Sequence, residues 1–224
     1  MSNMSPTDPL AEVLRVSQVR GAVLAQVVAG DPWGIAISQT EGVAMHAVIS
    51  GSCWLRLSGE VPRQLLRGDI VFLPHGTPHT IASASTGATI SFDRLAKQQL
   101  LSPAGELRVN AEQDRASTRF LCAGYDFDHN VSHRLISLLP TVVHVRAEES
   151  DGEIQATLRL LTSELRGVAP GASVAIDRLI DVVFVQVLRA QISRDEHTAA
   201  SWLTALADPM IAAALAVLHE RPRP

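Results

Sequence analysis

Between about Leu10 and Asp93, apolar residues come in short runs broken by Gly, Pro and Ser. The runs are Ala22–Val28, Gly34–Ser38, Met45–Ser50, Cys53–Leu57, Ile70–Leu73 and Ala88–Phe92. Short segments rich in Val and Ile, recurring every ten residues or so, predict the strands of a β-sandwich or barrel. From Asp151 onward the period changes. Ile154, Leu158, Leu161 and Leu165 lie three and four apart and predict a helix over Glu153–Arg166, stopped by Gly167. A second helix follows Pro170-Gly171 and runs to about Ser193, with Ile176, Leu179, Ile180, Val183, Val187 and Leu188 on its apolar face. That face suits a neighbouring helix or, second, a dimer interface. A short helix is expected over Thr198–Leu206. Another opens at Asp208-Pro209, a capping residue followed by a proline that fits a first helical turn.

One hairpin can be drawn in detail. If Gly51-Ser52 is a two-residue turn, Ser50 faces Cys53, Val48 faces Leu55 and His46 faces Leu57. His46, Val48, Ser50, Cys53, Leu55 and Leu57 then share the inward face, while Ala47, Ile49, Trp54, Arg56 and Ser58 take the other.

The 224 residues are 46% hydrophobic and 19% charged, enough apolar material for a core and too much for wholesale disorder. No long apolar run escapes interruption by charge, and the first residues lack a signal-peptide pattern, so the expected location is the cytoplasm, with no membrane partner. A net charge of −4 argues against non-specific nucleic-acid binding by these residues. Lys97 is the sole lysine, and the dominance of Arg reads as a coding bias rather than as a phosphate-binding device. Cys53 and Cys122 are expected to be reduced, each a core residue or a metal ligand.

The most specific segment is Gly68-Asp69-Ile70-Val71-Phe72-Leu73-Pro74-His75-Gly76-Thr77-Pro78-His79. A Gly-Asp turn enters an apolar strand, and Pro74 and Gly76 bend the chain so that His79 points inward. The segment resembles the second motif of the cupin superfamily, small double-stranded β-helix barrels. The first motif of that superfamily supplies a His-X-His pair, whereas here only Glu41, His46 and Gly51 are present. His46, His75, His79 and Cys122 form an alternative metal set, and imidazole with thiolate suits zinc. Trp33, Cys53 and Trp54 are the candidate walls of a ligand pocket. His129, His133 and His144 read as surface or capping residues of the connecting segment.

Taken whole, the chain resembles the regulatory half of AraC-type bacterial transcription regulators. The resemblance rests on Pro32-Trp33-Gly34, Met45-His46 through Leu55, the Gly68–His79 block, Phe120–Gly124, Leu138-Leu139-Pro140, Asp177-Arg178-Leu179 with Phe184-Val185-Gln186, and Trp202–Pro209. It implies an α+β fold: a cupin-like β-barrel sensor with its connecting segment over residues 1–146, then a helical hairpin or bundle over 147–207 that dimerises. Residues 208–224 would open a truncated DNA-binding domain. The implied partners are a small-molecule effector, a second copy of the chain, and DNA through the missing domain alone. In this reading the protein is not an enzyme. Competing readings are a metal-dependent cupin enzyme of dioxygenase or isomerase type, and a purely structural dimerisation module with an empty barrel.

Overall fold

A computed structural model describes residues 19–101, 104–111, 117–126, 136, 139–149, 152–167 and 169–195. Eleven strands form two sheets. β1 (Arg20–Ala29), β3 (Val43–Ser50), β6 (Ile70–Leu73), β9 (Glu106–Val109), β10 (Thr118–Asp126) and β11 (Val143–Val145) make the larger sheet, in the order β11-β6-β3-β10-β1-β9. β2 (Gly34–Ile37), β4 (Ser52–Leu57), β5 (Arg63–Leu66), β7 (His79–Ala82) and β8 (Ile90–Ser91) make the smaller, in the order β5-β4-β7-β2-β8. Neighbours are antiparallel except for β1 with β9 and β2 with β8. Three α-helices, α1 (Phe92–Gln98), α2 (Glu153–Arg166) and α3 (Ala172–Asp195), and a 3-10 turn over Ala147–Glu149 accompany the sheets among the described residues.

Alternation along the central strand β3 explains the layering. Ala44 and Val48 join Ala25, Ile35, Leu55, Leu73, Ile81, Leu107 and Phe120 in a core between the two sheets. Val43, Met45 and Ala47 point the other way, into a second core with Phe72, Tyr125 and the buried faces of α2 and α3. β3 is therefore buried on both sides, which accounts for its nearly unbroken apolar sequence. Each core is a substantial hydrophobic reservoir, since every fully buried Leu, Ile or Phe contributes about 1.5–3 kcal/mol.

The helix over Glu153–Arg166 has the predicted bounds, and the next runs from Ala172 to Asp195. Ile180, Val183, Val187 and Leu188 of its predicted face are buried against the sheet and α2, with Ile176 and Leu179 packed at the margin. Tyr125 in β10 anchors this layer: its hydroxyl donates to the Ile180 carbonyl at 2.9 Å. The backbone N–H of Gly21 in β1 also donates to Asp181 Oδ1 at 3.0 Å. The helices expected over Thr198–Leu206 and from Asp208 lie outside the described residues.

The proposed hairpin is not formed. Both edges of β3 are taken, by β10 and β6, so β4 has no place beside it and pairs instead with β5 and β7 in the other sheet. Gly51 makes that crossing at φ +74°, where any Cβ would sit 2.1 Å from the Ser117 carbonyl oxygen. The facing pattern survives nonetheless: His46 and Cys53 do look into the same interior, across the gap between sheets. The barrel expected from the sequence is accordingly seen as two facing sheets, with no ladder joining them among the described residues. The run Ala88–Phe92 yields a two-residue strand, after which Phe92 opens α1.

Candidate functional site

The Gly68–His79 block turns as its spacing predicts. One Asp69 oxygen accepts the Ala147 N–H at 2.9 Å, and the other accepts the Leu66 N–H and His144 Nε2–H, both at 3.0 Å. His144 therefore stands in strand β11 as a partner of Asp69, not as a surface cap; His129 and His133 lie outside the described residues. Past β6, Gly76 takes φ +58° and its N–H donates to the Leu73 carbonyl at 3.1 Å. The chain then enters β7 with His79 directed between the sheets, only 4% exposed.

There His79 meets His46 of β3, Nε2 to Nε2 at 2.7 Å, so the two rings bridge the sheets. On the far side of the His46 ring, Nδ1 lies 3.3 Å from Cys122 Sγ in β10. His79 Nδ1 lies 2.7 Å from the Thr77 carbonyl oxygen. That last contact orders all the others. A carbonyl can only accept, so His79 carries its proton on Nδ1 and presents a lone pair at Nε2. His46 must then donate from Nε2, leaving Nδ1 to accept from the Cys122 thiol. Both imidazoles are neutral and Cys122 is a thiol.

Burial gives the same protonation states. It lowers the His46 pKa well below the usual 6.5, and the nearby His79 lowers it further; His79 is lowered by burial too, against the opposing pull of Thr77. Burial raises the Cys122 thiol far above its usual range, with Cys53 adding to the shift, and pushes Cys53 up to about 12. Neither cysteine is a thiolate at neutral pH.

The four residues expected to hold zinc are thus divided. His46, His79 and Cys122 are brought together, whereas His75 lies on the exposed bend with Nε2 3.1 Å from the Leu139 carbonyl. A zinc ion fits this set poorly. Two imidazoles on one tetrahedral ion, each at about 2.0–2.1 Å from it, hold their nitrogens farther apart than a hydrogen bond does. Cys122 and His79 also approach opposite nitrogens of His46, and one ion takes only one of them. Among the described residues, no group of three or more His, Cys, Asp or Glu side chains is placed to hold a metal ion.

Of the candidate pocket walls, Trp33 is buried in the core between the sheets, stacked on Phe120 with ring centroids 5.4 Å apart. Cys53 is buried in that core as well. Trp54 points away from it, because alternation along β4 sends Cys53 and Leu55 inward and Trp54 to the outer face. None of the three lines the cavity that reaches the histidine pair. That cavity, about 340 Å³, opens at the end of the sheets. His46, Cys122, Ala44 and Ile37 lie in its wall, Phe92 of α1 flanks it, and Glu41, Asp93 and Asp126 are the charged residues of its lining among those described. Leu24 stands at its mouth, 45% exposed, where the β1–β10 register skips a residue between Val23 and Ala25. A bulge of this kind re-aims a side chain and is frequent beside binding sites.

The buried neutral pair gives stability a definite pH dependence. In the unfolded chain each histidine takes up a proton near pH 6.5, while the folded form resists it; the stabilisation is complete above that value and is lost as pH falls below it. His144, also lowered by burial, adds in the same direction. His46 and His79 together are expected to make the domain less stable at pH 5.5 than at pH 7, measured by urea unfolding at each pH. A flat profile, or one rising toward acid, would contradict the assignment.

Comparison with known proteins fits this architecture. A family model described as Cupin matches residues 8–193, and the chain belongs to that family. It is 29% identical over 223 residues to a putative AraC-like transcription regulator of Streptomyces lividans, covering 96% of this chain and 69% of that one. It is 22% identical over 193 residues to the HTH-type transcriptional regulator AlkR of Acinetobacter baylyi, covering 85% of this chain and 62% of AlkR. Within the cupin family, then, the chain is similar to the cupin-like part of AraC-type proteins, and the relatives it matches are named as transcription regulators. Among solved structures, ToxT from Vibrio cholerae O395 matches with a TM-score of 0.39 at 10% identity, over 84% of this chain and 57% of that one. A further ToxT structure, bound to (E)-4-(8-methylnaphthalen-1-yl)but-3-enoic acid, matches with a TM-score of 0.40. No helix among the described residues is long and apolar enough to cross a membrane.

Proposed function

We propose that this domain senses a small organic effector in the cavity that ends at His46 and Cys122. The observation carrying the reading is the cavity's composition. Its wall is largely apolar, and among the described residues its only charged side chains are the carboxylates Glu41, Asp93 and Asp126, with no Lys or Arg. Its volume of about 340 Å³ suits a compact ligand. Charge complementarity selects an apolar body with a cationic or hydrogen-bond-donating head over a carboxylic acid.

Cys122 to Asp126 of β10 form one wall, and from the same strand Tyr125 holds α3 through its hydroxyl. An occupant that shifts β10 therefore biases the position of α3, by as much as its affinity differs between the two arrangements, typically about 1–3 kcal/mol. On α3, Val174 and Val182 lie two turns apart, 61% and 44% exposed, a face suited to pairing with a second copy. In such a dimer the effector would set the spacing of two DNA-binding units, as expected of an AraC-type regulator; light scattering reads the pairing. Zinc has no part in this reading, and one zinc per purified chain by elemental analysis would restore it.

The test is calorimetric titration with naphthylmethylamine and with naphthoic acid, which share a ring body and differ in charge. The amine is expected to bind at least about fivefold more tightly. Preference for the acid, or no binding of either at millimolar concentration, would contradict the reading.

A further inference from the structure

A second concave site lies on the opposite side of the larger sheet, where α2 passes the ends of β3 and β10 and the β5–β6 turn. It is an open groove of about 630 Å³. Arg67, Arg119, Arg159 and Arg166 line it, and among the described residues no carboxylate does. Arg159 and Arg166 are two helical turns apart on α2, so both face the groove, with the hydroxyl of Ser163 between them.

Elsewhere on the surface, several arginines find carboxylates: Arg63 with Glu60 at 2.9 Å, Arg108 with Glu106 at 2.7 Å, Arg178 with Asp181 at 3.5 Å, and Arg146 with Glu149 at 3.4 Å, while Arg20, Arg56, Arg94 and Arg189 stand without an ion pair among the described residues. In the groove the weakly paired arginines are gathered at one site. Arg119 reaches Glu106 only at 3.9 Å, and Arg67, Arg159 and Arg166 make no ion pair among the described residues. Four guanidinium groups are thus gathered with almost no counter-charge among the described residues, in a chain whose net charge is −4. Their mutual repulsion is a standing cost that an anion would relieve.

We infer that this groove binds a phosphate-bearing small molecule. A guanidinium fork matches two phosphoryl oxygens at once, and a multiply charged phosphate balances several arginines where a single carboxylate would balance one. Val48, Ile49 and Leu158 supply an apolar floor for an organic body, and the volume admits a nucleotide. The occupant would clamp α2 to β10, the strand that also walls the effector cavity. The inference stands independently of that cavity, whose charge is opposite.

Calorimetry of the full chain with inorganic pyrophosphate and with ADP, at constant ionic strength, provides the test. Saturable one-to-one binding is expected, weakened about tenfold or more in the double variant Arg159→Gln/Arg166→Gln and unchanged in Arg94→Gln, an exposed arginine of α1. All three arginines are exposed, so the variants should melt as the parent does. No binding of either probe, equal weakening by Arg94→Gln, or equal affinity for sulfate would overturn the inference. So would binding of hexaglutamate with none of pyrophosphate, which would mark the groove as a docking surface for an acidic protein segment.

Discussion

Gly76→Val is expected to lower the stability of the domain by on the order of 4 kcal/mol, a drop in Tm of about 10 °C for a chain of this size. Two costs add. A β-branched residue strains at φ +58°, and its Cβ would lie 2.1 Å from the Thr40 backbone oxygen, a contact that no rotamer relieves. The approach is close because the Thr40 N–H donates to the Gly76 carbonyl at 3.0 Å and Gln39 Nε2 donates to the His75 carbonyl at 2.7 Å. The bend that delivers His79 is thereby tied to the loop bearing Gln39, Thr40 and Glu41 of the cavity. Gly59→Val separates the two costs. Its φ of +79° is similar, but nothing lies within 4 Å of the added Cβ, so only the dihedral term of about 1–2 kcal/mol should appear. Equal shifts in the two variants would show that the packing of the bend against Thr40 is wrong.

Phe184→Ala is the second large effect. Phe184 is 1% exposed and links α3 to the larger sheet, with ring centroids 5.7 Å from Phe72 and 4.9 Å from Tyr125. Truncation removes the ring and leaves a cavity, at an expected cost of about 3–5 kcal/mol in chemical unfolding. In the proposed sensing mechanism this contact would carry a shift of β10 to α3, so the variant should also uncouple the helix layer from the cavity wall. A loss below about 1 kcal/mol would mean that α3 is not packed on the sheet as described.

The sequence carried the faces better than the pairings. Alternation placed His46 and Cys53 in one interior correctly, while the hairpin used to justify it does not exist, because side-chain parity survives a crossing between sheets and strand partnership does not. The same alternation puts Trp54 on the outer face, which is inconsistent with a place in a pocket wall between the sheets. The helix over Glu153–Arg166 was legible because its period is long and regular. α1 was masked by the apolar run ending at Phe92.

The site was half visible. His79 followed from the Gly-Asp and Pro-X-Gly spacing. His46 and Cys122 lie 76 residues apart, and only the register of β3 with β10, Cys122 opposite His46, brings them into contact. His75 sits four residues before His79, but around a bend that spacing carries no common direction. Asp93 and Asp126 came from segments with no motif at all. In the sequence the arginine bias is a matter of composition; its clustering beside α2 is a tertiary fact.

Leu24→Trp tests the effector cavity most directly. Leu24 lies at the mouth and is already 45% exposed, so an indole there fills the opening without disturbing either core. Titrated with naphthylmethylamine, the variant should keep the parent's melting temperature and bind at least about tenfold more weakly. Unchanged affinity would place the ligand elsewhere and contradict the sensor assignment.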